Sequence, residues 1–212
     1  AMTAALLAST PVREALHQPL LRIQSGRVGA TPVFCVPGAG DSVTGFVGLS
    51  EALGRDWPLL GLQPRGLDGE AVPHSEVEAA AQCYLAALTQ ECPRGPVHLV
   101  GHSFGGWVAL EMALRLQALG REVASLTVID SESPGGAGRP YTTTAALLRL
   151  IESMQLAAGK PLGIDRVDFA ERDEVAQRQW LHAGMVGVGL LPGRSAVDAM
   201  DGPARTYAAA LR

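Results

Sequence analysis

The 212-residue sequence predicts an α/β fold, a mostly parallel sheet flanked by helices, with a helical lid inserted late in the chain. Three observations carry that expectation. Between residues 20 and 130, short β-branched and apolar runs alternate with longer stretches of helical periodicity. Beyond residue 130 the strand signals stop and only helical patterns remain. Hydrophobic residues make up 47% and charged residues 18%, which is enough to bury a sizeable core in a single domain spanning residues 1–212.

Residues 1–18 carry little pattern and read as a leading segment. Leu20–Ile23 is a short strand, and Pro32–Val36 a stronger one closed by Pro37-Gly38-Ala39-Gly40. Phe46–Leu53 reads as a helix and Trp57–Leu62 as the next strand. After a Gly- and Pro-rich loop, Ser75 and Glu78 have capping-box spacing. Val77, Ala81, Tyr84, Leu85 and Leu88 then recur on one helical face. Val97–Val100 is a strand, Gly105–Leu119 a helix ended by Gly120, and Val123–Ile129 a strand that delivers Asp130. Strand–helix alternation of this kind builds crossovers between parallel strands. Residues 131–143 read as loop, 144–158 and 168–183 as helices, and 184–193 as a Gly-rich stretch. Together, about 135–195 form the expected lid.

Composition excludes several classes. The net charge is −4 with Lys and Arg scattered, so no basic face offers itself to nucleic acid. Cys35, Cys83 and Cys92 show no metal-ligand or CxxC spacing and read as reduced thiols of a cytoplasmic protein. No metal site is expected. No apolar run approaches the ~20 residues of a membrane span, and no secretory signal opens the chain. Ala1-Met2 reads as a tag remnant or a cut from a larger polypeptide.

The chemistry gathers at Gly101-His102-Ser103-Phe104-Gly105. A serine hydroxyl attacks a carbonyl only when it is exposed and a base takes its proton. G-x-S-x-G between an apolar strand and a helix is the nucleophile elbow of α/β-hydrolase folds: a strained turn presents the serine, and small flanking residues let strand and helix pass closely. Ser103 is therefore the candidate nucleophile. His102 beside it points elsewhere and reads as a packing residue. Asp130 ends the next strand, where functional groups collect in such sheets, and is a candidate triad acid. Strands also end in Asp merely to start a turn, and Glu132 is the nearest competitor. For the oxyanion hole, the backbone N–H of Phe104 is one expected donor and that of Ala39 the other, since Pro37 has none.

The runs Phe34–Gly40, Leu60–Gly69 (with Gln63-Pro64-Arg65-Gly66-Leu67-Asp68-Gly69) and Gly101–Gly106 resemble the thioesterase domains of nonribosomal peptide synthetases. The resemblance runs from about Leu20 to the end and is nearer the integral, chain-terminating domains than the free-standing editing enzymes. It implies that a peptidyl thioester arrives on the phosphopantetheine arm of an adjacent peptidyl carrier domain. Ser103 takes the chain as an acyl-enzyme, and water hydrolyses it or an internal amine or hydroxyl closes a ring. It also implies that Asp130 is the triad acid. No cofactor is expected to bind directly.

One feature departs from that family, which keeps its catalytic histidine after two further strands. His17, His74, His98 and His102 each read as structural, and His182, in the lid, is the one surrogate base on offer. The expectation is a C-terminally truncated chain with weak or no turnover unless another chain supplies the base. Two other functions share these residues. An esterase or lipase on free substrates would prefer simple esters to carrier-bound thioesters. A catalytically silent carrier-binding scaffold would leave Ser103 unlabelled by a phosphonate probe.

Overall fold

The computed structural model describes residues 17–131 and 142–211, so Glu132 and the first residues of the expected lid lie outside it. Five strands, β1 (Leu20–Gln24), β2 (Val33–Val36), β3 (Leu59–Leu62), β4 (Val97–His102) and β5 (Val123–Ile129), form one sheet in the order β1-β3-β2-β4-β5. β2 pairs in parallel with β3 and β4, and β4 with β5. β1 alone runs antiparallel, on β3. Helices α1 (Val47–Leu53), α2 (Val77–Glu91) and α3 (Phe104–Ala118) make the connections.

β2 is buried along its whole length because helices cover both faces of the sheet. Phe34 and Val36 point to one side, into a cluster with Leu60, Leu99, Leu88 of α2 and Met112 of α3. Val33 and Cys35 point to the other, against Leu59, Phe46 and Leu49. The period of two along β2 therefore feeds two cores from four residues. Each fully buried Leu or Phe contributes about 1.5–3 kcal/mol of transfer free energy. Burial also pushes the Cys35 thiol up to about 12, which keeps it protonated and inert.

Beyond β5 the described chain is helical: α4 (Thr143–Ala158), α5 (Arg166–Ala170), α6 (Glu174–Val188), a 3₁₀ turn at Val197–Met200, and α7 (Asp201–Ala210). Thr142, Asp165 and Asp173 cap α4, α5 and α6 by accepting from the backbone N–H groups of the first turn. These helices share a third core of Leu150, Ile151, Phe169, Leu181, Met200 and Tyr207. No described helix is long and apolar enough to cross a membrane.

Local details differ from the sequence reading. Glu76, not Ser75, is the N-cap of α2, and it makes no side-chain cap. The helix starts one residue late for the Ser75–Glu78 box. The helix expected over 168–183 is two, broken where Asp173 starts a new cap. α6 runs straight through Gly184 and Gly187 and stops at the left-handed Gly189.

Candidate active site

β4 ends at His102 and α3 begins at Phe104, so the whole reversal falls on Ser103, at φ 51 and ψ −123. Three glycines permit it. A Cβ on Gly101 would sit 2.3 Å from the Gly105 carbonyl oxygen, and one on Gly105 would sit 2.3 Å from that of Val36. A Cβ on Gly106 would meet Ser131 Oγ at 2.0 Å. The end of β5 then fastens the turn. Ser103 N–H donates to the Ile129 carbonyl at 2.8 Å, and the Ser131 hydroxyl donates to the Ser103 carbonyl at 2.7 Å. The Ser103 side chain does not cap α3, which leaves its hydroxyl uncommitted to the helix.

Asp130 lies between Ile129, the last residue of β5, and Ser131, the two residues that hold the elbow, and it is exposed. Among the described residues only Ser103 (φ 51) and Asp130 (φ 49) have positive φ without being glycine. A non-glycine residue in that region is sparsely populated, and such strain collects where surrounding structure over-determines it, commonly at functional sites. The sequence-predicted nucleophile and acid are thus brought to neighbouring strand ends and share this backbone signature.

The expected oxyanion donors line one small cavity of about 30 Å³, which includes Ala39, Phe104, Tyr84 and His74 and has room for a water or two. Phe104 N–H is the first of α3, so it has no acceptor within the helix. Ala39 sits in a tight loop in which Asp41 N–H donates to the Gly38 carbonyl at 3.1 Å. Gly40, at φ 75, leaves no room for a side chain: its Cβ would lie 2.9 Å from the Pro203 carbonyl oxygen and 3.2 Å from Tyr207 Cβ.

The Gln63–Gly69 stretch supports that loop from behind. Gln63 Oε1 accepts from Val43 N–H at 3.0 Å and from the Ser42 hydroxyl at 3.3 Å. A Cβ on Gly202 of α7 would fall 1.8 Å from the Leu67 carbonyl oxygen, and Arg205 donates to the Gly69 carbonyl. Asp68 accepts from the N–H groups of Glu70 and Ala71, and that from Glu70 is the main reason its carboxyl is held below the usual carboxylate range. Sequence reasoning marked this stretch by resemblance but missed what Gln63 does. It also missed Asp41, whose only signal was its place in a loop at a strand's C-terminal end. Burial pushes the Asp41 carboxyl up, and His102, with Nδ1 3.6 Å from Asp41 Oδ2, pulls it part of the way back.

None of the five histidines is engaged with Ser103. His17 Nε2 is bonded to the Gln63 carbonyl at 3.1 Å and His98 Nδ1 to Ser125 Oγ at 2.8 Å, while His102 faces Asp41. His182, on α6, has its Nε2 bonded to the Ser195 carbonyl at 2.9 Å. His74 lies in the small cavity with its Nε2 buried. Among the described residues no cluster of His, Cys, Asp and Glu could hold a metal ion.

His17 and His74 are both held below 6.5, first by burial, and Arg65 adds to the effect at each. The unfolded chain therefore binds more protons than the folded one as pH falls through 6.5, and stability drops with it. Thermal melts from pH 7.5 to 5.5 should show a falling Tm, with a shallower fall in His74→Asn. An unchanged slope in that variant would rule out His74 as a source.

A family model described as Thioesterase domain matches residues 31–163. The chain is 40% identical over 101 residues to a dimodular nonribosomal peptide synthase of Bacillus subtilis (strain 168), covering 47% of this chain and 4% of that one. In structure it resembles a four-domain nonribosomal peptide synthetase bound to AMP and glycine, with a TM-score of 0.79 and 22% identity over 91% of this chain and 15% of that one. The type II thioesterase BorB of the borrelidin biosynthetic cluster aligns with a TM-score of 0.59 at 21% identity, covering 90% of this chain and 70% of that one. The fold is of α/β-hydrolase type, and the chain spans a small part of the synthetases that it matches.

Proposed function

The chain belongs to the thioesterase domain family, and from that premise we propose that it releases a carrier-bound acyl or peptidyl chain through an acyl-enzyme on Ser103. The observation that carries the reading is the elbow itself: a serine at φ 51 between β4 and the N-terminus of α3, the end of a helix that favours negative charge. Ser103 Oγ attacks the thioester carbonyl carbon and loses its proton to a base. Charge builds on the carbonyl oxygen, and Phe104 N–H with Ala39 N–H would receive it; one such donor is typically worth ~10²–10³ in rate. The C–S bond then breaks and the thiolate of the phosphopantetheine arm leaves as the thiol, taking up that proton. Water, or an amine or hydroxyl within the chain, attacks the ester and restores the serine. Because a thioester is already an activated acyl donor, orientation carries much of the burden.

Asp130 would orient and stabilise an imidazolium, as a triad acid does. No histidine of this chain faces Ser103 in its observed position, so the reading needs an imidazole brought to Asp130 from elsewhere. The test is hydrolysis of an N-acetylcysteamine thioester, with and without added imidazole. Slow turnover that imidazole accelerates, and that Ser103→Ala removes, is the expected result. Thioester cleavage indifferent to Ser103 would sink the acyl-enzyme. That none of the five histidines is bonded to Ser103 favours a second reading, a scaffold that docks the peptidyl carrier domain without chemistry. That reading expects carrier binding and no acylation even with imidazole.

A further inference from the structure

A second opening adjoins the elbow at His102. It is a cleft of about 440 Å³ whose lining includes Phe46, Leu49, Ile129, Ser42, Asp41 and His102. Asp41 is the only carboxylate among its lining residues. The one cationic candidate there, His102, is charged only when protonated, and at 3.6 Å it stands outside hydrogen-bond reach of the carboxylate. Asp41 Oδ2 and Ser103 Cβ lie 3.0 and 3.3 Å from one point, the Cβ position of Gly38, so they are no more than 6.3 Å apart. That separation is within the reach of the first few carbons of an acyl group on Ser103.

We propose that Asp41 is a specificity residue of this cleft, selecting acyl chains that bear an ammonium group within a few bonds of the carbonyl. The inference rests on the acyl-enzyme reading above and names its substrate class. An apolar floor with one under-compensated carboxylate at the nucleophile's end suits a short aliphatic stem ending in a cation. Gly38 keeps the approach open: a side chain there would press on Asp41 Oδ2 and His102 Nδ1, both 3.0 Å from its Cβ.

Acylation of Ser103, followed by intact-protein mass spectrometry, tests it with two near-isosteric N-acetylcysteamine thioesters, 3-aminopropanoyl and butanoyl. The expected preference for the ammonium compound is about tenfold, the size of a partly screened charge pair. In Asp41→Asn the ratio should fall to about one, and in His102→Gln it should hold or rise, because a competing cation is gone. A butanoyl preference in the native chain, or a ratio untouched by Asp41→Asn, overturns the assignment while leaving the acyl-enzyme standing. No acylation by either compound, with imidazole present, overturns both.

Discussion

With imidazole present, replacing Ser103 by alanine should remove all covalent labelling by a fluorophosphonate probe and leave the fold standing. Labelling requires one hydroxyl that is both presented and activated. The other described serines do not sit on a strained turn against a helix N-terminus, since positive φ outside glycine is confined to Ser103 and Asp130 among the described residues. Alanine keeps the Cβ and the backbone angles, and no side-chain cap of α3 is lost, so Tm should move little. Intact-mass measurement before and after exposure to the probe reads the first quantity, and a thermal melt reads the second. A Ser103→Ala chain that still takes up probe would place the reactive group elsewhere.

The second large effect is on stability. Gly105→Ala should cost about 3 kcal/mol or more and lower Tm by roughly 6–12 °C. The added methyl would lie 2.3 Å from the Val36 carbonyl oxygen and 2.4 Å from that of Pro37. Both obstacles are backbone, in the strand and loop that also carry Ala39, so neither can swing aside as a long side chain would. Gly187→Ala is the matched control. It lies inside α6 with nothing within 4 Å of its Cβ position, and alanine there should gain up to about 1 kcal/mol of helix propensity. Equal melts for the two variants would mean that the close passage of strand and helix is not what Gly105 provides.

What the sequence made legible was short in range. The elbow could be read because five consecutive residues contain its strand end, its turn and its helix start. Val123–Ile129 could be read because a run rich in β-branched and apolar residues, with no Gly or Pro, leaves few alternatives, and its last residue delivers Asp130 to the neighbouring strand end. Pairings between distant segments stayed hidden. Nothing in Leu20–Gln24 tells that it runs antiparallel on β3, nor that β3 lies between β1 and β2. Gln63 was equally opaque, because its role depends on two backbone and side-chain donors some twenty positions away. The misplaced cap of α2 has a different cause: Ser75 and Glu78 have the spacing of a reciprocal box, but the chain enters the helix one residue later and the register is lost.

The tight seat of α7 on Gly40 and Leu67 bears on any attempt to exchange caps between related proteins. α7 touches the same loop that presents Ala39, with no space for even a methyl group at the joint. A graft that stopped near residue 195 would leave foreign helices resting on a native hinge-piece cut for different neighbours. A transplant should therefore carry α7 through Ala210 with it, and chimeras that do so should retain a properly shaped catalytic loop where shorter ones lose it.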